Sequence, residues 1–325
     1  TSLMKFLKHL IAGAMVVACG VAAAQSNWPT KPVRIVVGYG AGGPGDIIAR
    51  ALAVKLSAAW GQPVVVDNKP GANEIVAAVD VIKQPADGHT LIMGTDALYS
   101  FNKLIRSKPG YDAEKDFAPI TRVGESPLGV FVRPDFPAKD MKEFVAYVKA
   151  NPGKLNYAST GVGGITHLAV AWMSKLYGLD MVQTPYNAVP LLMQDLSSSR
   201  TDMTMLATGP LMPFVNSGKL RALAVAGPKR VTIAPNVPTF AESGFPEYES
   251  FFYMALATNA GTPPAIVNKI SADVIAALKT EDMAKALTNV GFHPVGETPA
   301  QFAAFLVKDR ANAAERVKAA NVKME

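Results

Sequence analysis

Cysteine is almost missing from this 325-residue chain: Cys19 is the only one. No internal disulfide can form, so stability must come from an apolar core. A chain of this length can build one, and usually divides it between more than one lobe. Histidine is scarce too, at His9, His89, His167 and His293. None of these falls in an H-x-x-x-H or H-E-x-x-H spacing, which excludes the common zinc sites. No G-x-S-x-G elbow occurs, so that route to a serine nucleophile is closed. Basic residues exceed acidic ones for a formal net charge of +6, yet no run of four or more forms. Basicity spread this thinly is a solvated surface and not a nucleic-acid footprint. No hydrophobic run reaches the roughly 20 residues of a membrane span.

The N-terminus suggests export. Lys5 and Lys8 precede an apolar run from Leu10 to Ala18, then Ala22-Ala23-Ala24 before Gln25. A charged start, a short apolar stretch and small residues at the end form a secretory signal. The expected leader is 1–24, which places the protein in the periplasm and lowers its charge to +4. A second reading takes Val16-Val17-Ala18-Cys19 as a lipobox, with Cys19 lipid-modified.

The densest local signal is Gly38-Tyr39-Gly40-Ala41-Gly42-Gly43-Pro44-Gly45-Asp46. An apolar strand, Val33 to Val37, leads into it. The spacing of Ile47, Ile48, Ala51, Leu52 and Leu56 predicts a helix after it. A glycine loop between strand and helix brings backbone N–H groups and the positive helix end close to an anion. The loop also fits G-x-G-x-x-G, with Asp67 closing the next strand as a dinucleotide site would require. Against that, Pro44 and Asp46 crowd the helix entrance. Asp46 is expected to be the N-cap of the helix.

Strand and helix patterns alternate along the rest of the chain. Strands are expected at Thr90–Met93, Leu128–Val132, Leu155–Ala158, Met181–Thr184 and Leu220–Ala226. Helices are expected at Ile75–Ile82, from Asp140, at Thr166–Leu176, at Pro264–Leu278, and from Thr298-Pro299-Ala300-Gln301, a capping box with proline at the first helical position. Such alternation implies an α/β fold with parallel or mostly parallel sheets. Ligands then sit beyond the carboxyl ends of strands. Polar loops follow several strands: Gly94-Thr95-Asp96-Ala97, Ser159 to Gly164, Tyr186-Asn187-Ala188 and Thr208-Gly209. They would line one cleft if two lobes face each other. Asp46, Glu74 and Asp96 supply carboxylates, but no spacing pairs them as acid and base. No catalytic residue, metal site or cofactor is assigned.

Longer stretches resemble a known family. They include Trp28-Pro29-Thr30-Lys31-Pro32-Val33-Arg34, Gly42-Gly43-Pro44-Gly45-Asp46, Gly61-Gln62-Pro63 through Pro70-Gly71-Ala72, Pro85-Ala86-Asp87-Gly88-His89-Thr90-Leu91, and Lys115-Asp116-Phe117-Ala118-Pro119-Ile120. Pro152-Gly153-Lys154-Leu155-Asn156-Tyr157-Ala158-Ser159, Thr166-His167-Leu168, Gly218-Lys219-Leu220-Arg221-Ala222-Leu223-Ala224-Val225, Pro235-Asn236-Val237-Pro238-Thr239 and Gly261-Thr262-Pro263 continue the series. In this order they resemble the Bug-type periplasmic solute-binding proteins of tripartite tricarboxylate transporters.

The resemblance implies a two-lobed, type II-like periplasmic binding protein with mixed, mostly parallel sheets and a cleft between lobes. Lobe one would comprise 25–124 and the return 250–325 with the C-terminal helix; lobe two would be 125–249. It implies a non-catalytic, monomeric receptor that closes on a small organic acid and passes it to membrane permease subunits. An exported enzyme using the same cleft, or a sensor presenting ligand to a membrane kinase, are the alternatives. Carried over, lobe one offers Tyr39, Gly42, Gly43, Gly45, Asp46, Thr95 and Asp96. Lobe two offers Ser159, Thr160, Gly161, Thr166, His167, Tyr186, Asn187 and Thr208.

The departures bear on the ligand. Gly45 stands where the family usually has Thr, Asn73-Glu74 where it has Gly-Gly, Asn187-Ala188 where a basic residue and Gly are usual, and Asp96 where it has Ser or Thr. Phe251-Phe252-Tyr253 is more aromatic than usual. Acid in lobe one and no base near Asn187 disfavour a plain aliphatic di- or tricarboxylate. A ligand with an amine or an aromatic ring is expected. Glu74 is expected to face solvent.

Overall fold

Val33–Val37 forms the first strand, β1, and its side chains are almost wholly buried because both faces of the sheet are covered. The computed structural model describes residues 27–186 and 188–322. The expected leader, Cys19 and Asn187 lie outside them.

Helix α1 (Pro44–Trp60) follows β1. Gly43 precedes it, Pro44 opens it with a preset φ, and Gly61 ends it at φ 65°. Ile48, Leu52 and Leu56 recur on one face and pack, fully buried, against Val33, Ile35 and Val37 of β1. Removing one such side chain, as in Leu52→Ala, would cost about 2–5 kcal/mol. The chain continues through β2 (Val64–Asn68), α2 (Ile75–Ile82) and β3 (Thr90–Thr95). A π-helical turn, Ala97–Phe101, then runs into α3 (Asn102–Ile105) and α4 (Ala113–Asp116).

The 16-residue strand β4 (Phe117–Val132) leaves this first lobe for a second. There α5 (Met141–Ala150), β5 (Leu155–Ser159), α6 (Ile165–Tyr177), β6 (Met181–Pro185), α7 (Val189–Ser197), β7 (Met203–Ala207), α8 (Thr208–Asn216) and β8 (Arg221–Val225) build another α/β unit. The return strand β9 (Phe251–Asn259) lies beside β4, from Pro127↔Phe251 to Phe117↔Asn259. Helices α9 (Pro264–Leu278) and α10 (Glu281–Asn289), strand β10 (His293–Pro294) and helix α11 (Pro299–Ala319) follow.

The strand order is β2-β1-β3-β9-β4-β7-β5-β6, with β8 and β10 also on β4. Parallel pairing is confined to the outer strands of each lobe: β1 with β2 and β3, β5 with β6 and β7. β4 and β9 run antiparallel to their neighbours. The alternating pattern therefore yields mixed sheets, because a strand that crosses between lobes and one that returns enter with opposite sense. Phe117–Pro127 of β4 serves one sheet and Leu128–Val132 the other. Each lobe keeps its own core.

α11 carries the capping box expected at Thr298: the Thr298 hydroxyl accepts from Gln301 N, and Gln301 Oε1 accepts from Thr298 N at 2.9 Å. It straddles both lobes. Ala313 packs with Phe101 of lobe one and Leu168 of lobe two. Glu315 pairs with Lys175 of α6 at 3.4 Å, and Arg316 donates to the Glu249 carbonyl.

Candidate functional site

A cleft of about 300 Å³ opens where the lobes meet. Lobe one lines it with Tyr39, Asn73, Asp96, Ala97 and Phe101, lobe two with Thr160, Gly163, Gly164, Ile165 and Leu168, and crossing strand β9 with Phe252.

On the lobe-two side, β5 ends at Ser159 and a glycine loop carries the chain to the start of α6. Gly161 and Gly163 take φ of 102° and 75°, left-handed values that glycine adopts without strain. Gly164 caps α6 with no side-chain acceptor on the first turn. The opening N–H groups of a helix have no intrahelical partner, and the helix dipole adds positive potential there. His167 fastens the loop from behind: its Nδ1 accepts from Gly163 N at 3.0 Å, which puts the ring proton on Nε2. Burial pushes the His167 pKa down and keeps the ring neutral.

On the lobe-one side the chemistry is acidic. Among the described residues no Lys or Arg lines the cleft, and Asp96 is its one acid. Asp96 is buried; one carboxylate oxygen accepts from Ala97 N at 3.0 Å and starts the π-helical turn. Burial raises its pKa to about 7; the Asp309 carboxylate adds to the rise and Arg316 opposes it.

Directly behind Asp96 lies Glu74, which corrects the expectation that it faces solvent: it is 1% exposed. Ala72, Asn73 and Glu74 all hold left-handed φ, at 47°, 55° and 72°. A non-glycine residue held there costs roughly 1–2 kcal/mol. That backbone turns the Glu74 side chain inward, where it accepts from Thr95 N at 3.1 Å, Thr95 Oγ1 at 2.8 Å and Leu98 N at 3.1 Å. Asn73 and Asn102 lock the segment, with Asn73 Nδ2 donating to Asn102 Oδ1 and Asn102 Nδ2 to the Asn73 carbonyl. Burial lifts the Glu74 pKa to about 8; its three hydrogen bonds oppose the rise and the Asp96 charge adds to it. Thr95 Oγ1 also meets the Tyr39 hydroxyl at 3.1 Å.

Of the residues expected to bind, Tyr39, Asp96 and Thr160 line the cleft. Gly42, Gly43, Gly45 and Asp46 do not line it; Gly45 sits against Met254 and Val37 instead. Asp46 is not the N-cap, because Pro44 takes the first helical position and makes Gly43 the cap. Asp46 lies three residues beyond the cap, at the third helical position. It reaches back to accept from Gly42 N at 3.0 Å and pairs with Arg50 at 2.9 Å, contacts that hold its pKa down. A dinucleotide phosphate entering here would meet that carboxylate.

Thr95, Ser159, Thr166 and His167 are buried and do not line the cleft, and half-exposed Gly161 does not line it either. Ser159 Oγ accepts from Gln183 Nε2 at 2.8 Å, and the Thr166 hydroxyl is buried without a partner. Tyr186 and Thr208 are engaged elsewhere: the Tyr186 hydroxyl donates to Asp195 at 2.8 Å and the Thr208 hydroxyl to the Pro127 carbonyl at 2.9 Å. Sequence reasoning did not single out Asn73, Phe101, Ile165 or Leu168 as lining. Gly163 and Gly164 belong to a loop expected at the cleft, and Phe252 to the aromatic run expected to pack against a ring. Phe101 carried no local signal. Among the described residues, no group of three or more His, Cys, Asp or Glu could hold a metal, and no helix is long and apolar enough to cross a membrane.

Comparison with known proteins agrees with this architecture. Residues 48–322 match the family described as the tripartite tricarboxylate transporter family receptor. Protein BugT of Bordetella pertussis is 30% identical, over 92% of this chain and 93% of BugT. A structure of an R. palustris protein with adipate superposes with a TM-score of 0.79 at 30% identity, covering 92% of this chain and all of that one. MatC of Rhodopseudomonas palustris with bound malate gives 0.74 at 29% identity, covering 89% and 100%. The chain therefore belongs to the tripartite tricarboxylate transporter receptor family, among its Bug-type members.

Proposed function

We propose that the protein is an extracytoplasmic receptor that captures a small organic acid by lobe closure and delivers it to the membrane permease of a tripartite transporter. The carrying observation is the cleft itself. A glycine loop and the uncapped start of α6 face it from lobe two, with no Lys or Arg on either side among the described residues. Neutral dipoles of this kind hold a carboxylate without a counter-charge. The adipate and malate seen in the two R. palustris structures support a carboxylate. Closure is a bend of the β4–β9 ribbon, which joins the lobes at Pro127↔Phe251. On this reading lobe one is 25–124 with 250–325, lobe two is 125–249, and the receptor works as a periplasmic monomer.

The ligand carries more than carboxylates. Asp96 presents a buried carboxylate to the cleft, and a second ligand carboxylate beside it would be repelled. An ammonium or N–H group there would be bound, and Phe101 and Phe252 offer faces for a ring. A thermal-shift screen of adipate, malate, amino acids and aromatic acids tests both levels. Stabilisation by an amino or aromatic acid supports the full reading. Stabilisation by adipate or malate alone refutes the ligand class and keeps the receptor. No stabilisation by any acid, with no acid released from denatured protein, refutes the receptor.

A further inference from the structure

We propose that Glu74, Thr95 and Tyr39 form a hydrogen-bond relay through which Glu74 decides whether the cleft offers its ligand a phenolic donor. The inference rests on reading the cleft as the ligand site. Its geometry is a chain of three contacts: Glu74 Oε2 to Thr95 Oγ1 at 2.8 Å, Thr95 Oγ1 to the Tyr39 hydroxyl at 3.1 Å, and Tyr39 on the cleft wall. Ala97 N donates to the same Thr95 oxygen at 3.3 Å.

A hydroxyl has one proton and two acceptor positions. Ala97 N takes one acceptor position on Thr95 in every state. With Glu74 ionised, Thr95 gives its proton to Glu74 and accepts from Tyr39. The phenolic proton is then used internally, and Tyr39 can show the cleft only lone pairs. With Glu74 protonated, the carboxyl donates to Thr95, Thr95 donates to Tyr39, and the phenolic proton is free for a ligand carboxylate. With Glu74 ionised the relay is complete in itself; with Glu74 protonated it is completed by an acceptor in the cleft, a ligand carboxylate or water. One proton from water enters or leaves at Glu74, and no other bond breaks. Tyr39 itself stays protonated, since burial and the Glu74 charge hold its pKa high.

The groups around Glu74 let it reach both states. Thr95 and Leu98 donate to it and favour the charged form, whereas burial and the Asp96 carboxylate favour the neutral one. Tyr99 and Tyr111 sense its charge but remain protonated. Behind Asp96 stand Asp309 and Arg316, with opposed effects on Asp96. His167, across the cleft, is neutral. A ligand carboxylate at Tyr39 thus selects protonated Glu74 and is bound together with one proton. A ligand group that donates at Tyr39 selects ionised Glu74. Glu74 is in this sense a specificity-determining residue that touches no ligand.

The test needs no ligand, so its failure leaves the receptor reading standing, and failure of the receptor reading leaves the relay testable. Infrared difference spectra of the ligand-free full chain are recorded between about pH 5 and 10. The Glu74 carboxyl band is assigned by its loss in Glu74→Gln, and the Tyr39 phenol band by its loss in Tyr39→Phe. The carboxyl band should titrate near pH 8, and the Tyr39 band should shift at the same midpoint. In Thr95→Val the carboxyl band should still titrate while the Tyr39 band stays fixed, and Thr95→Ser should restore the coupling. A Tyr39 band that ignores Glu74 titration in the unmodified chain overturns the proposal. So does one that still follows it in Thr95→Val, or a Glu74 that never changes protonation across the range.

Discussion

Replacing Glu74 by Gln should make the protein more stable at alkaline pH. The buried carboxyl has its pKa raised from 4.5 to about 8. Between those values the folded chain holds a proton that the unfolded chain releases, so stability falls as pH rises. Each unit is worth ~1.4 kcal/mol, so the whole interval removes roughly 4–5 kcal/mol. Below pH 4.5 both states are protonated and nothing is lost; above about 8 the penalty is complete. Gln keeps the shape of the neutral acid: its oxygen can accept from Thr95 N and its amide can donate to Thr95 Oγ1, but Leu98 N then loses its acceptor, at about 1–3 kcal/mol. Urea unfolding at acidic, neutral and alkaline pH is the assay. The variant should trail by about 1–3 kcal/mol in acid, where Leu98 N lacks its acceptor, and the difference should move in its favour by roughly 4–5 kcal/mol from acid to base. Asp96, raised to about 7, gives the unmodified chain a further slope in the same direction, but it is present in both proteins and largely cancels. Parallel stability curves for the two proteins would refute the account of Glu74 as a desolvated acid.

Asp46→Ala removes the acceptor for Gly42 N and the Arg50 pair and should cost ~1–2 kcal/mol in unfolding experiments, with Asp46→Asn milder because it still accepts. Equal stability of Asp46→Ala and the unmodified chain would contradict that role. His167→Ala leaves Gly163 N without its acceptor and should weaken whichever acid the thermal-shift screen identifies by about tenfold, ~1.4 kcal/mol, in calorimetry. An unchanged affinity would mean that the glycine loop holds itself. Since no described Lys or Arg lines the cleft, affinity should change less than tenfold between low and moderate salt. A steeper dependence would point to a cation at the site.

Local pattern was enough for the elements built from local interactions. β1, the span Pro264–Leu278 and the Thr298 capping box all follow from side-chain periodicity or cap chemistry within a few residues. Asp46 shows where such reasoning slips by a few residues. Its cap signal is genuine, but Pro44 fixes φ earlier and moves the cap to Gly43. β9 was hidden for a different reason. Its apolar run has no alternation, and its place depends on β3 and β4, which lie far away in sequence. Phe252 reaches the cleft only because β9 crosses between lobes. Glu74 was the hardest residue to read. Acid in a loop points to solvent unless the backbone turns left-handed, and three consecutive residues with side chains gave no sign of doing so.

The insertion of one sheet into another sets an order of assembly. β9 lies between β3 and β4 in the first sheet, yet it leaves the ribosome only after all of β5 to β8. A nascent chain ending near Ser250 therefore has every strand of the second sheet and a gap in the first. The second can mature early, while the first exposes the edges of β3 and β4 until its late strand arrives. Contacts this distant in sequence form slowly. Unfilled edges of this kind are sites for mispairing or chaperone capture. The strand that completes the first sheet thus also controls how long the young chain remains unfinished.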